Sequence, residues 1–340
     1  MISTILFSVL LMACGDKSTE TGLDSHDDSN DTSLTDTGID TDTQDSGSST
    51  TDADGDGFTS DVDCNDNDAT IFPFDRSANH GGTGCGWTVS SGFEFLCGLS
   101  SAGEITCWGE NASGQLNAPT GTFVETSAGT SHACARDESN MVTCWGWDMY
   151  GQASAPSVEM KAIAAGGYHS CGIGLTDEVA CWGGYGSDVN SISSTVQFLQ
   201  SSNYHSCAVD SNGAVLCMAP DNVPVPDAAP NANYTQVASI SQNSSCALND
   251  AGAVECWGDD TAGFQDVPPS GIIELQSGFT DHYCALMSNG KVTCWGGNNF
   301  GQSTIPTEAF QSLSLGAMHS CGVLDTGDIT CWGSISGQPY

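Results

Sequence analysis

The stretch CGLSSAGEITCWG, from Cys97 to Gly109, decides the fold of this chain. Apolar and polar residues alternate on both sides of a Ser-Ser-Ala-Gly turn, a pattern that is typical of a β-hairpin. Cys97 and Cys107 lie equally far from Ala102, at the centre of the turn. They are therefore predicted to face each other on antiparallel strands, about 4.5 Å apart at Cα, within reach of a disulfide bond.

The hairpin recurs along the chain. Its two cysteines are always ten residues apart, and successive first cysteines are separated by 36 to 39 residues. Zinc is the other common use of paired cysteines, but no CxxC spacing is present, so disulfides are favoured. Cys64 and Cys85 could form one further bridge. The predicted disulfides within the repeats are Cys97–Cys107, Cys134–Cys144, Cys171–Cys181, Cys207–Cys217, Cys246–Cys256, Cys284–Cys294 and Cys321–Cys331.

An additional strand precedes each hairpin, as in Phe123 to Gly129 and Phe310 to Gly316. Each repeat thus predicts a sheet of three or four strands. One such sheet cannot bury both of its faces, whereas seven sheets arranged radially can, with only short and protected edges. We therefore predict an all-β fold over residues 86–340, a seven-bladed β-propeller with one disulfide inside each blade. Closure of the ring is expected from packing of copy seven against copy one, because no split blade that would clasp the two ends is evident.

The residues around the cysteines repeat as well. Trp-Gly follows six of the seven second cysteines, Gly-Gln follows Trp-Gly in four copies, and Met218-Ala219-Pro220 replaces Trp-Gly in copy four. A histidine stands two residues before the first cysteine in five copies, at His132, His169, His205, His282 and His319.

The pattern HxC…G.V.CWG.N..GQ resembles the repeats of the regulator of chromosome condensation family, in their short, cysteine-bearing bacterial form. This resemblance spans residues 86–340 and implies a seven-bladed propeller in which the recurrent His and Trp pack between blades. The resemblance does not imply the activity of the eukaryotic namesake, which loads nucleotide onto a small GTPase and touches nucleosomes. An exported acidic chain would encounter neither a GTPase nor nucleosomes. A secreted bacterial propeller of this repeat class inhibits β-lactamases through loops on one face.

Composition limits the partners of the chain. It has 340 residues, with 5 Lys and Arg against 42 Asp and Glu, and a formal charge of -37. Nucleic-acid and anionic-lipid surfaces are both recognised by cationic side chains, so neither is an expected partner. The 17 cysteines would be unusual in a reducing cytosol and indicate export.

The N-terminus predicts a lipid anchor. The apolar run from Ile5 to Met12 is too short to span a bilayer and suits a signal-peptide core. Its ending, Leu-Met-Ala-Cys14, resembles the lipobox of bacterial lipoproteins, although no Lys or Arg precedes the run. The resemblance implies that residues 1–13 are removed and that Cys14 is acylated, which would hold the protein on the bacterial cell envelope, at the outer membrane or cell surface. The alternative is an ordinary tail with a chance cysteine.

Two acidic segments separate Cys14 from the repeats. Residues 15–51 are Asp, Ser, Thr and Gly with almost nothing apolar, and we expect a disordered tether within 14–51. Residues 52–68, within an Asp-rich segment over 52–75, read DADGDGFTSDVDCNDND, in which alternating carboxylates and a turn glycine match a Ca²⁺ loop. The alternative is a solvated acidic linker.

Two features distinguish this predicted calcium segment from a full EF-hand. Asp rather than Glu stands at position 12 of the loop, and no helix pattern flanks it. The segment resembles a thrombospondin type 3 repeat, in which a second Asp-rich run shares the ions, and its expected affinity is weak, ~10⁻⁴–10⁻³ M. The predicted ligands are Asp52, Asp54, Asp56, Phe58 through its carbonyl, Ser60, Asp61, Asp63, Asn65, Asp66, Asn67 and Asp68.

No catalytic motif is evident. The sequence has no nucleophile elbow, no phosphate-cradling Gly-Lys pair and no HExxH, so we expect no enzymatic activity. The loops after Trp-Gly vary between copies, and several carry aromatic residues that would form a ligand face if they share one end of the ring. The alternative is that these side chains cover the ends of blades. They are Trp147, Tyr150, Tyr185, Phe264 and Phe300.

The expected function is therefore non-enzymatic binding of an extracellular or periplasmic protein or glycan by a monomer. A surface enzyme or enzyme inhibitor on the same scaffold is the first alternative, because propellers host both kinds of activity. A purely structural spacer is the second alternative. A binding module would show a partner, and a surface enzyme would show turnover of a substrate. A structural spacer would show neither.

Overall fold

The fold was analysed in a computed structural model of the chain, and its described part contains 22 strands and no helix. Accordingly, no helix in this part is long and apolar enough to cross a membrane. The described residues belong to one compact unit. The structure describes residues 87–184, 195–219, 229–231, 233–240, 244–258, 270–324 and 326–335, together with the strand at 71–72.

Seven sheets arise from these strands, and six of them have three strands while one has four. Blade one contains β2 to β4, and each following triplet in chain order forms the next blade, up to β20 to β22 in blade seven. The strands are β1 (Ile71–Phe72), β2 (Thr88–Ser91), β3 (Phe95–Leu99), β4 (Ile105–Gly109), β5 (Phe123–Ala128), β6 (His132–Asp137), β7 (Val142–Gly146), β8 (Met160–Ala165), β9 (His169–Gly174), β10 (Val179–Gly183), β11 (Val196–Ser201), β12 (Ser206–Asp210), β13 (Val215–Met218), β14 (Tyr234–Ser239), β15 (Ser244–Asn249), β16 (Val254–Gly258), β17 (Ile272–Ser277), β18 (His282–Met287), β19 (Val292–Gly296), β20 (Phe310–Leu315), β21 (His319–Leu324) and β22 (Ile329–Gly333).

The predicted hairpins and disulfides are confirmed. Cys97 lies directly opposite Cys107 in the antiparallel pair of β3 and β4, with the two Cα atoms 4.0 Å apart. All seven pairs inside the repeats are bonded, at Cα separations of 4.0 to 4.1 Å. Each bond therefore joins the second and third strands of one blade and leaves neighbouring blades covalently unlinked.

The hairpin turns explain one feature of the sequence. Gly103 occupies the left-handed region at φ 81°, where a Cβ would be strained. Asn140 and Asp177 hold the equivalent positions in blades two and three, at φ 63° and 69°. Asn and Asp are the residues other than glycine that best tolerate this conformation, so the turn is retained without glycine in those two copies.

The core lies between blades. Phe95 and Leu99 of blade one pack in one cluster with Phe123 of blade two and Trp145 from the third strand of that blade. Similar clusters join each successive pair of sheets, including Leu96 of blade one with residues of blade seven. Burial of apolar sheet faces against their neighbours therefore provides the main stabilisation of the ring.

Closure of the ring differs in part from the sequence prediction. Blade seven does pack on blade one, as predicted, and Ser91 N–H donates to Ser314 Oγ at 2.7 Å across this seam. The expectation that no strand from the other end of the chain clasps the seam was wrong. β1 pairs with β22 as the fourth strand of blade seven, with Ile71 opposite Thr330 and Phe72 opposite Ile329. A strand of two residues within an Asp-rich segment is too short to give a recognisable strand pattern. For this reason the sequence did not predict β1.

Candidate functional site

The two ends of the ring carry different kinds of connection. At one end, the residue after the third strand donates a backbone hydrogen bond to the residue before the second strand of the same blade, in blades one, two, three, six and seven. Trp147 N–H donates to the Ser131 carbonyl at 2.9 Å, and Gly184 N–H donates to the Tyr168 carbonyl at 2.7 Å. We call this end the loop rim. The opposite end, which holds the hairpin turns between second and third strands, is called the turn end.

A hydrogen-bond network beneath the loop rim ties neighbouring blades together. His132 Nε2 of blade two lies 2.7 Å from Ser170 Oγ of blade three. Ser170 donates to the Gln152 carbonyl at 3.0 Å, and Trp182 Nε1 donates to the same oxygen at 2.9 Å. The arrangement recurs at the junction of blades six and seven through His282, Ser320, Gln302 and Trp332. These contacts confirm that the repeated His and Trp connect blades.

Burial keeps these histidines uncharged. Desolvation lowers the pKa of His132 and His205 to about 4 and that of His282 to about 3. Loss of solvent also places the pKa of His169 well below its ordinary value. The repeated histidines therefore add no positive charge to the loop rim near neutral pH, and they stand as structural groups rather than proton carriers.

Four aromatic side chains from blades two, three and four meet on the loop rim. Trp147 lies 5.4 Å from Tyr150 and 5.6 Å from Tyr168 between ring centroids, in edge contacts. Tyr150 and Tyr168 are 5.7 Å apart in another edge contact. Tyr204 of blade four stacks on Tyr168 at 5.7 Å with an interplanar angle of 20°. We call these four residues the aromatic patch.

The aromatic patch remains open to solvent. Tyr150 is 52% exposed, Tyr168 is 36% exposed and Tyr204 is 40% exposed, and Met149 beside them is 74% exposed. By contrast, the tryptophans that follow the cysteines in the described blades two, three, five and six are buried. A contiguous group of exposed aromatic rings is a common mark of a binding surface, since such rings supply contact area at low cost in conformational entropy.

Tyr168 stays neutral under ordinary conditions. Desolvation raises the pKa of Tyr168, and the electrostatic influence and side-chain hydrogen bond of Tyr204 raise it further. The Tyr168 hydroxyl group can therefore donate and accept hydrogen bonds at the edge of the patch without adding negative charge. Among the described residues no group of His, Cys, Asp and Glu is arranged to hold a metal ion.

The structure brings together two of the predicted ligand-face residues, Trp147 and Tyr150. Phe300 stands on the equivalent loop of blade six, is 51% exposed, and makes no ring contact among the described residues. Tyr185 and Phe264 lie outside the described residues, as do Cys14, Cys64, Cys85 and the predicted calcium ligands within 52–68.

Sequence reasoning missed Tyr168 and Tyr204. Each stands directly before a repeated histidine, His169 or His205, in adjacent copies. Residues at equivalent positions of adjacent blades become neighbours around the ring, so two tyrosines in this position were the available signal.

Comparison with known proteins agrees with this fold. The family model described as Regulator of chromosome condensation (RCC1) repeat matches residues 88–115, 123–152 and 272–302. The chain carries RCC1-like repeats. Each matched segment runs from the first strand of a blade to the glutamine of its Gly-Gln pair, which is the acceptor in the network beneath the loop rim. No curated protein matches the chain.

Solved structures with the same fold include receptor ectodomains. The ectodomain of the Physcomitrella patens receptor kinase CR4 is 24% identical, at a TM-score of 0.62, with 72% of each chain covered. The CRINKLY WD40 ectodomain of the Arabidopsis thaliana receptor kinase ACR4 is 22% identical, at a TM-score of 0.61, with 75% of this chain and 99% of that chain covered. Yeast RCC1 (Prp20), solved in a complex with Kap60, is 15% identical, at a TM-score of 0.52, covering 62% and 70%. At these identities the likeness concerns the fold alone.

Proposed function

We propose that this protein is a non-enzymatic binding module of the bacterial cell envelope, which presents the loop rim of its propeller to an extracellular or periplasmic protein or glycan. The observation that carries this proposal is the aromatic patch at one end of the ring, in which Tyr150, Tyr168 and Tyr204 are exposed beside the half-buried Trp147. Rigid scaffolds that hold variable loops are a common basis of recognition surfaces.

Export is supported by the disulfides. Seven bonds between adjacent strands form and persist in an oxidising compartment, outside the bacterial cytoplasm. We propose in addition that acylated Cys14 anchors the chain and that residues 14–51 act as the tether. Metabolic labelling with an acyl-chain analogue should mark the wild type and not the Cys14→Ala variant. Absence of label from the wild type would contradict the anchor.

The predicted calcium segment is proposed as a separate, weak binding site within residues 52–75. Its support is the spacing of Asp52, Asp54 and Asp56 before Gly57, since plain acidic runs lack that spacing. Calorimetry with millimolar Ca²⁺ should give binding heat for the wild type and none for the double variant Asp54→Ala/Asp56→Ala. Identical titration curves would contradict the site.

Binding through the loop rim is tested by recovery of partners from native cells. The full chain, cross-linked in place, should co-purify with an envelope protein or glycan. Tyr168→Ala/Tyr204→Ala should reduce the amount of recovered partner at least about tenfold, because aromatic residues at a contact dominate its binding energy. Phe300→Ala is the matched control, because Phe300 is an exposed aromatic ring on the loop rim of blade six, two blades from Tyr204. Equal recovery by both variants would contradict the proposed surface.

A further inference from the structure

The described basic residues all lie at one end of the ring, whereas carboxylates lie at both ends. The structure describes three of the five Lys and Arg residues, and all three lie at the turn end. Each has a local partner there, so none faces the loop rim. Arg136 contacts Glu125, Lys161 contacts Asp177, and Lys291 donates to the Thr307 carbonyl.

The loop rim carries carboxylates instead. Asp148 lies between Trp147 and Met149 in the loop that supplies the aromatic patch, and it is exposed. Glu94 and Glu110 of blade one lie beside blade two, where Glu110 N–H donates to the Glu94 carbonyl at 3.0 Å. Because the repeated histidines under the rim are uncharged near neutral pH, no described group on this end is cationic.

The packing of the aromatic rings restricts how a cation could bind. Trp147, Tyr150 and Tyr168 lie 5.4 to 5.7 Å apart between centroids, so they touch one another. A cage for a quaternary ammonium group needs open space between its walls, and this cluster has none. The exposed outer faces can instead stack on a flat cation, and the guanidinium of arginine is planar, weakly hydrated and well suited to stacking on tyrosine.

From the coincidence of exposed aromatic faces with a rim that carries carboxylates and no described cation, we infer that the aromatic patch is the docking site for an arginine-bearing segment of an exported polypeptide. This inference rests on the proposed binding function and specifies its partner. The negative field of the rim increases the encounter rate of cationic segments and repels anionic ones. A neutral glycan would gain contact area from the rings but nothing from that field.

The test uses the full chain and a pair of synthetic peptides. One peptide contains spaced arginines, and the other has citrulline, which is neutral and of nearly the same shape, at every arginine. Titration calorimetry at about 0.15 M salt limits diffuse attraction, because charges beyond about 8 Å are then screened. The arginine peptide should bind the wild type, and the citrulline peptide should bind at least about tenfold more weakly, because it lacks the cation.

The variants locate the binding. Tyr168→Ala/Tyr204→Ala should weaken binding of the arginine peptide by about threefold to tenfold through loss of cation–π contacts, while Phe300→Ala should leave it unchanged. Thermal unfolding of both variants checks that the fold is retained. Equal affinity of the wild type and Tyr168→Ala/Tyr204→Ala for the arginine peptide would overturn the inference, since the peptide would then be attracted only to the acidic chain at large.

A parallel titration with neutral oligosaccharides separates this inference from the proposed function. If the aromatic patch binds a neutral oligosaccharide and not the arginine peptide, the binding function stands and the inference about the partner is overturned. If Tyr168→Ala/Tyr204→Ala changes the binding of neither probe and of no native partner, both are overturned.

Discussion

At the scale of single residues, Gln and Trp are paired across blade boundaries. The carbonyl of Gln152 in one blade accepts from Trp182 in the next, and Gln115 serves Trp145 in the same way. The loop of copy three contains no Gly-Gln, and the following copy has Met218 in place of the tryptophan. The junction of blades three and four therefore lacks both the glutamine acceptor and the tryptophan donor. As a result, copy four leaves no tryptophan N–H without a hydrogen-bond acceptor at this junction.

The serine of this network offers a direct test of its strength. Ser170→Ala removes the partner of His132 Nε2 and one donor to the Gln152 carbonyl in a buried place. We expect the free energy of unfolding to fall by about 1–3 kcal/mol, because a buried polar ring nitrogen loses its partner. Urea denaturation measures this change, with Ser101→Ala on an exposed turn as the control. Equal destabilisation by the two variants would contradict the role of the network.

The buried histidines predict acid sensitivity. Their folded pKa values, about 4 for His132, His205 and His319, lie below the ordinary value of 6.5. The unfolded chain therefore binds more protons between these limits, and stability is lost as pH falls from about 6.5 towards 4. Each such histidine should reduce the free energy of unfolding by about 2 kcal/mol at pH 5.

Two acidic side chains oppose this trend. Desolvation raises the pKa of Glu274 to about 7, so its contribution to stability decreases as pH rises from 4.5 towards 7. Glu125, whose pKa is also raised mainly by burial, acts in the same direction. Five histidines outweigh two carboxyl groups, so urea midpoints should be lower at pH 5 than at pH 7.5. A midpoint that is unchanged or higher at pH 5 would contradict the burial of the histidines.

At the scale of the elements, each disulfide strengthens one hairpin. In blade three, Cys171 and Cys181 enclose a loop of ten residues, for which the chain-entropy account gives about 2–3 kcal/mol. The double variant Cys171→Ala/Cys181→Ala should be destabilised by that amount in urea, while the other six bonds still form. An undiminished urea midpoint would contradict the stabilising role.

The elements also show what the sequence could predict. Hairpins, turns and disulfides are local, so the spacing of Cys97 and Cys107 was sufficient to predict strand pairing and register. The pairing of β1 with β22 and the meeting of Tyr168 with Tyr204 join residues that are far apart in sequence. The first contact is set by closure of the ring and the second by the packing of neighbouring blades, and the pattern of a single repeat encodes neither.

At the scale of the whole molecule, the junction of blades seven and one is built differently from the others. Neither ring nitrogen of His319 has a hydrogen-bond partner within the described part of the chain. Leu96 occupies in blade one the strand position that Ser170 holds in blade three, so the usual serine is missing at this seam. The bond between Ser91 and Ser314 has equivalents at other junctions, as between Ala128 and Ser90, so the added strand β1 is the contact that distinguishes this seam.

This role of β1 can be tested by proline substitution. Ile71→Pro/Phe72→Pro removes the backbone donors of the strand and should release it from β22. Hydrogen exchange should then accelerate at Ile329–Gly333, and the unfolding temperature should fall by about 2–4 °C, which is what a loss of about 1 kcal/mol gives in a domain of this size. Ala69→Pro, outside β1, is the control. Unchanged exchange in β22 would contradict a closing role.

The central claim is that the loop rim of blades two to four is the binding surface. Hydroxyl-radical footprinting of the full chain, with and without the arginine peptide, tests it most directly. We predict that bound peptide protects Tyr150, Tyr168 and Tyr204 from oxidation and leaves Phe300 unprotected, since all four rings are exposed in the free chain. Protection of Phe300 or of the turn end, without protection of the tyrosines, would contradict the account.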